Sequence, residues 1–226
     1  MQWAYLCKNI GEWQGQFLRF DAKGQLLSAE PSLTVLALDP DGKTMHQTVQ
    51  VGGSTKQFAY RSLSRGVLFF ANGAFSHGST QFAPLAEFGA EFGFIHDRQR
   101  LRLVVLYQAG QIQSLTLIPE HLPNASPLDP QPVARQALPP AQWVQGTVIF
   151  PDGRTPSPIQ ALNEWTTSQE LLFLPYGAIV LCPPRLAPRE PFSLQVVWQA
   201  KPHLFYWMVR SYDQMGGWHD LQLFQT

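Results

Sequence analysis

Short apolar or alternating runs, each ended by turn residues, follow one another along this chain, and that rhythm constrains the fold more than any motif does. Side chains on a strand alternate between two faces, and Asp, Asn and Gly supply the backbone angles of tight reversals, so such runs announce antiparallel strands joined by hairpins. Runs occupy 13–20, 33–38, 44–51, 57–62, 67–70, 73–76, 85–96, 101–108 and 112–118. Asp21-Ala22-Lys23-Gly24, Asp39-Pro40-Asp41-Gly42, Asn72-Gly73 and Ala109-Gly110 punctuate them. Further runs cover 143–150, 171–174, 178–182, 192–199, 203–212 and 218–224. Helical periodicity is scarce and predicts only a short opening turn before Gly11 and a segment over 158–165. The stretch 119–140 holds 7 prolines in 22 residues. Each lacks the N–H that a ladder uses, so the stretch reads as a loop or linker. The second half is small for the aromatics it carries. We therefore expect an all-β antiparallel barrel over 1–226 with a Pro-rich connecting loop, two separate β domains being the alternative.

Composition narrows the task. The chain has 16 Lys+Arg against 16 Asp+Glu and is 14% charged, where about 25% is usual. Its 15 Phe, 7 Trp and 6 Tyr need burial or a cavity to line, which excludes intrinsic disorder. Zero net charge argues against a non-specific nucleic-acid binder, whose affinity comes from displacing counterions with a basic surface. The longest apolar stretches, at 101–107 and 205–209, fall far short of the roughly 20 residues that span a bilayer. The opening 13 residues lack the basic start and apolar run of a signal peptide. Cys7 and Cys182, the only cysteines, form no paired-thiol motif. A reducing compartment, the cytoplasm, is the expected location.

Two hairpins allow a test of faces, because register decides which side chains stand together. With Asp97-Arg98 as the turn, Ile95 opposes Arg100 and Gly93 opposes Arg102. One face then carries Glu87, Glu91, Arg100 and Arg102, and the other Phe88, Phe92, Phe94, Leu101, Leu103 and Val105. The Glu/Arg face is either solvated or turned inward as a polar pocket suited to a carboxylate-bearing ligand. With Lys201-Pro202 as the next turn, Phe192, Leu194, Val196 and Trp198 share a face with Phe205, Trp207 and Val209. The opposite, mixed face carries Gln195, Tyr206, Met208 and Arg210. These eight polar or amphipathic residues, Glu87, Glu91, Arg100, Arg102, Gln195, Tyr206, Met208 and Arg210, are the candidate ligand-binding set.

No catalytic residue is expected. The sequence has no GxSxG elbow, no phosphate-cradling glycine loop and no HExxH. Histidines 46, 77, 96, 121, 203 and 219 are scattered, so no metal site is expected either.

Gly11-Glu12-Trp13, entering the first strand after a helical turn, resembles the GxW signature of the calycin superfamily, which includes lipocalins. In calycins an arginine from a late strand packs over that tryptophan; Arg210 is the residue the resemblance assigns, and Gly11, Trp13 and Arg210 would close the barrel end. Asn9 to Gly15, Phe20-Asp21, Gly93-Phe94, Arg100 to Leu103, Leu115 to Ile118, Leu181 to Pro183, Pro191 to Leu194 and Arg210 to Asp213 with Trp218 resemble a lipocalin-like family found mainly in cyanobacteria. The same superfamily holds phycobiliprotein lyases. The resemblance implies a calycin-type barrel and no reaction. Together with the two-faced hairpins and the aromatic excess it leads us to expect a non-catalytic carrier or chaperone for a hydrophobic or amphipathic small molecule, with a linear tetrapyrrole as one candidate ligand, no covalent cofactor, and a photosynthetic protein as a candidate partner. The alternatives are a ligand-free assembly or scaffold protein that docks a protein partner, and a bilin lyase.

Overall fold

The computed structural model describes residues 1–135, 138, 142–163 and 171–226. The chain opens with α1 (Gln2–Leu6) and a 3-10 turn (Cys7–Asn9), the helical start expected before Gly11. Nine strands follow: β1 (Gly11–Phe20), β2 (Leu26–Leu38), β3 (Met45–Val51), β4 (Ser54–Tyr60), β5 (Val67–Phe69), β6 (Phe75–Gly78), β7 (Phe88–His96), β8 (Gln99–Gln108) and β9 (Gln111–His121). They form one antiparallel sheet in the order β4-β3-β2-β1-β9-β8-β7-β6-β5, which leaves β4 and β5 as its edges. Beyond the proline-rich segment come β10 (Gln142–Ile149), β11 (Ser157–Asn163), β12 (Leu172–Phe173), β13 (Ala178–Val180), β14 (Phe192–Lys201), β15 (Leu204–Tyr212) and β16 (Trp218–Gln225). These make a second antiparallel sheet, ordered β11-β10-β16-β15-β14-β13-β12. The fold is all-β, and its curled sheets form a half-barrel consistent with a calycin-like architecture.

Period-two alternation explains how the sheets meet. Phe88, Phe92 and Phe94 of β7 stand beside Leu101, Leu103 and Val105 of β8, all buried. They share one apolar cluster with Leu194, Val196 and Trp198 of β14 and Tyr206 and Met208 of β15, so the first sheet turns its aromatic face toward the second. Each such side chain taken out of water stabilises the fold by about 1.5–3 kcal/mol. On the other face of the second sheet, Val133 and Leu138 of the proline-rich segment pack on Ile179, Val197 and Phe205.

The first hairpin has the register that its turn implies, with Ile95 opposite Arg100 and Gly93 opposite Arg102. Asp97 takes the left-handed conformation at the reversal, φ 53°, which Asp tolerates better than most residues. The second hairpin differs by one residue. Its turn is Pro202-His203, with His203 at φ 72° and Lys201 opposite Leu204, and a register shift follows between Gln199 and Lys201. Leu194, Val196 and Trp198 therefore share a face with Tyr206, Met208 and Arg210, while Phe205, Trp207 and Val209 lie on the other. A single slipped residue exchanges every side chain between faces.

Several boundaries also depart from expectation, the widest at β2, which begins at Leu26 instead of residue 33. β9 runs through Pro119 to His121, so the loop begins three residues later. Proline is accommodated because β1–β9 pairing lapses opposite it, between Gly15↔Glu120 and Leu18↔Leu117. The helix expected over 158–165 is strand β11 as far as Asn163, where it pairs along β10; Glu164 and Trp165 lie outside the described residues. The strand expected to begin at Leu85 starts at Phe88, and Glu87 is exposed just ahead of it.

Candidate functional site

The inward face of the first sheet gathers its polar residues at alternate positions of neighbouring strands. Glu91 comes from β7, Arg100 and Arg102 from β8, Glu120 from β9, Trp13 from β1 and Thr34 from β2. Arg100 donates from Nε to Glu120 Oε2 at 2.7 Å, and Arg102 bonds both carboxylate oxygens of Glu120 at 2.9 Å. Arg102 also donates to Glu91 Oε1 at 2.8 Å and Thr34 Oγ1 at 3.3 Å. The Arg100 guanidinium carbon lies 4.3 Å from the centre of the Trp13 ring, and the Trp13 indole N–H donates to the Asn9 carbonyl at 2.9 Å. Asn9 in turn receives Arg100 Nη1 at 3.4 Å and donates to the Gly73 carbonyl at 3.0 Å. The 3-10 turn is thereby locked to the sheet it closes. Gly15 lets β1 come this close, since a Cβ there would stand 2.1 Å from the Pro119 carbonyl oxygen and 2.8 Å from Glu120 Cγ.

Glu120 is fully buried and Arg100 is 2% exposed. Burial alone would push the Glu120 carboxyl up, but the two guanidiniums outweigh it and hold the group down at about 2. Burial draws Arg100 down from its ordinary value and Glu120 restores only part of this; burial pulls Arg102 down as well, but there Glu120 and Glu91 together outweigh it and raise the group. Two cations thus face two carboxylates, and the network is electrically balanced. One donor remains over: Arg100 Nη2 is buried and has no hydrogen-bond partner.

Beside this network lies a cavity of about 400 Å³. Arg100, Arg102, Glu91, Thr34 and Asn9 line it on the network side, Gln47, Ser62, Ser64 and His77 add further polar groups, and Leu6, Leu36, Phe58, Tyr60, Leu63, Val67, Phe69 and Phe75 form its apolar wall. The lining takes in both edge strands, β4 through Phe58 and Tyr60 and β5 through Val67 and Phe69, which do not pair with each other. The two edges thus meet across the cavity as an unpaired seam, part of which is filled by Trp3 and Leu6 of α1 and Leu63 of the β4–β5 loop, packed with Tyr60, Val67 and Phe69. Such a space suits an apolar group that offers an acceptor to Arg100.

Of the eight candidate residues, Glu91, Arg100 and Arg102 are brought together on this cavity. Glu87 is exposed and outside it. Gln195, Tyr206, Met208 and Arg210 belong to the second sheet and do not line it. Met208 is fully buried in the inter-sheet cluster, and Tyr206 stacks on Trp198 at 5.9 Å with its hydroxyl 3.0 Å from His96 Nδ1. Gln195 faces the other way and accepts the Trp207 indole N–H at 3.1 Å. Arg210 does not cover Trp13. It lies 3.4 Å from the centre of the Trp218 ring and donates to Tyr212 Oη, Ser76 Oγ and the Ser79 carbonyl. The arginine over Trp13 is Arg100, because β8 is only one strand removed from β1 whereas β15 is in the other sheet. Gly11 does open β1, packed against Leu122.

Sequence reasoning missed Glu120, hidden behind Pro119, although the alternation Thr116, Ile118, Glu120 continues through the proline. It also missed a second Gly-x-Trp, Gly216-Gly217-Trp218, whose tryptophan is the one Arg210 covers. Among the described residues no group of histidine, cysteine or carboxylate side chains could hold a metal ion, and no helix is long and apolar enough to cross a membrane.

Residues 1–125 match the family model described as domain of unknown function (DUF3598), N-terminal. Residues 144–226 match the model described as biogenesis factor required for ATP synthase 1, C-terminal domain. A crystal structure of a protein of unknown function from the DUF3598 family of Nostoc punctiforme superposes with a TM-score of 0.90 at 29% identity, covering 100% of this chain and 98% of that one. No curated protein matches the sequence.

Proposed function

The chain belongs to the DUF3598 family, and from that premise we propose that it is a non-catalytic assembly factor, acting in the cytoplasm, that holds an apolar element of a protein client in its N-terminal half-barrel. The observation that carries this reading is the unpaired seam with its apolar cavity, on a chain whose other half resembles the C-terminal domain of a biogenesis factor for ATP synthase. We take residues 1–226 as one unit, since the buried aromatic cluster draws on both sheets. ATP synthase subunits are the first clients to test. Each purified subunit is mixed with the chain and followed by sedimentation velocity. A defined complex with one of them, and loss of assembled enzyme in cells lacking the gene, is the expected result. Failure of every subunit to bind at tens of micromolar would remove this client.

A second reading, a carrier for a hydrophobic or amphipathic small molecule, draws support from the same cavity. About 400 Å³ lined by Arg100, Arg102 and Tyr60 falls within the range of small-molecule sites. The calycin resemblance of Gly11-Glu12-Trp13 supports it, and a linear tetrapyrrole is its narrowest form, with chromophore transfer to an acceptor protein narrower still. Titration with biliverdin, haem and fatty acids, followed by absorbance and Trp fluorescence, tests it. Unchanged spectra with all three would remove it.

A further inference from the structure

The two edges of the first sheet are treated differently. Phe69 in β5 has both outward backbone groups occupied: its N–H donates to Gln2 Oε1 at 2.7 Å and its carbonyl receives Gln2 Nε2 at 2.9 Å. The Gln2 amide stands in for a neighbouring strand. β4 has no such cover. Its two-residue turn, Gly52-Gly53, makes Val51↔Ser54 the closing pair, so Ser54, Lys56, Phe58 and Tyr60 direct their N–H and C=O groups to β3. Those of Thr55, Gln57 and Ala59 point away, and no described residue bonds them. All but the last residue of β4 are exposed. A bare edge of this length is a template for another extended backbone, whose N–H and C=O groups would replace the solvent that now meets Thr55, Gln57 and Ala59.

Charge says what kind of backbone. From residue 43 to residue 86, the stretch that contains β4, there are four cations, Lys43, Lys56, Arg61 and Arg65, and not one carboxylate, in a chain with 16 of each sign; the carboxylates nearby come from outside it, Asp39 and Asp41 at the turn before β3 and Glu30 against Gly52. All four cations are exposed. Lys43 precedes β3, Lys56 lies within β4, and Arg61 and Arg65 flank the loop from β4 to β5. We propose that β4 is a strand-addition site for an extended, acidic segment of a protein partner whose alternate side chains are apolar. The added strand's apolar residues enter the seam beside Phe58 and Tyr60, and its carboxylates meet the surrounding cations. A second copy of the chain is disfavoured at this edge because it would bring the same cations together. The proposal rests on the assembly reading for the nature of its client.

The test uses a fluorescein-labelled decapeptide alternating Val and Glu, read by anisotropy with the full chain. Binding is expected to weaken at least about tenfold when alternate peptide amides are N-methylated, when Lys replaces Glu, or in Gln57→Pro, where an outward N–H is lost at an edge that tolerates proline. The N-methylated peptide needs no variant, so misfolding of Gln57→Pro cannot mask the answer. Equal binding of the parent and N-methylated peptides overturns strand addition, and equal binding of the Glu and Lys peptides overturns the acidic partner. A dimer in sedimentation velocity that Gln57→Pro abolishes gives the edge to a second copy and overturns the proposal. If an ATP synthase subunit binds wild type and Gln57→Pro alike, the assembly reading stands and the edge proposal falls. If the peptide binds as expected and no subunit does, the edge stands and that client falls.

Discussion

Arg100 holds its guanidinium 4.3 Å above the Trp13 ring while donating to Glu120 at 2.7 Å, so one side chain joins the opening of β1 to the end of β9. The carboxylate is the centre of this arrangement, because both arginines depend on it. Glu120→Gln leaves two buried guanidiniums facing each other and is expected to cost about 3–5 kcal/mol, as broken buried pairs do. Arg100→Met keeps Glu120 bound by Arg102 and keeps an apolar contact on Trp13, so it should cost less, about 1–3 kcal/mol. Urea unfolding of both variants checks the order, and a larger loss for Arg100→Met would place the organising role on the arginine.

Acid should expose the same group. The Glu120 carboxyl lies near 2 in the folded protein against an ordinary 4.5, so the unfolded chain binds its proton first as pH falls. Its stabilisation is complete above about 4.5, declines from there down to 2 and is absent below. Stability measured by urea unfolding across that window should fall with pH, and the slope should be shallower in Glu120→Gln.

Gly15→Ala probes the close approach of β1 to β9. The added methyl would meet the Pro119 carbonyl oxygen at 2.1 Å, and backbone cannot yield as a side-chain tip does. We expect a loss of about 1–3 kcal/mol, against a change within about 0.5 kcal/mol for Gln14→Ala on the exposed side of the same strand. Thermal unfolding of the two variants distinguishes them.

Phe58 is 51% exposed yet lines the cavity. Its truncation to alanine should leave stability within about 1 kcal/mol and weaken uptake of the anionic apolar dye anilinonaphthalene sulfonate about threefold. Unchanged dye titration in Phe58→Ala would show that the seam is not where apolar groups enter.

Much of the fold was legible because strand parity is a local property. The Asp97-Arg98 turn set the register of β7 and β8 correctly, and with it the sorting of phenylalanines from arginines. Which face turned inward was not legible, since alternation is the same for a wall facing water and a wall facing a cavity. Register failed at Pro202-His203, where an irregularity after Gln199 shifted the pairing by one, moved Tyr206 and Met208 into the apolar core and buried Arg210 on the same face. Glu120 was lost because a proline inside a strand is read as an end, although its missing N–H costs nothing where the neighbouring ladder lapses. The partner of Trp13 was lost for another reason: the pairing of an arginine with a tryptophan is set by strand order in space, and strand order is not written in any local pattern.

The Gln2 amide on Phe69 also has a consequence in time. Its two hydrogen bonds close a loop of 67 residues, a separation that makes them late arrivals in folding compared with any hairpin of the same sheet. Until α1 docks, neither margin of the nascent half-barrel is capped. Once it docks, the two margins differ, one capped at Phe69 and the other with the outward groups of Thr55, Gln57 and Ala59 unpaired among the described residues.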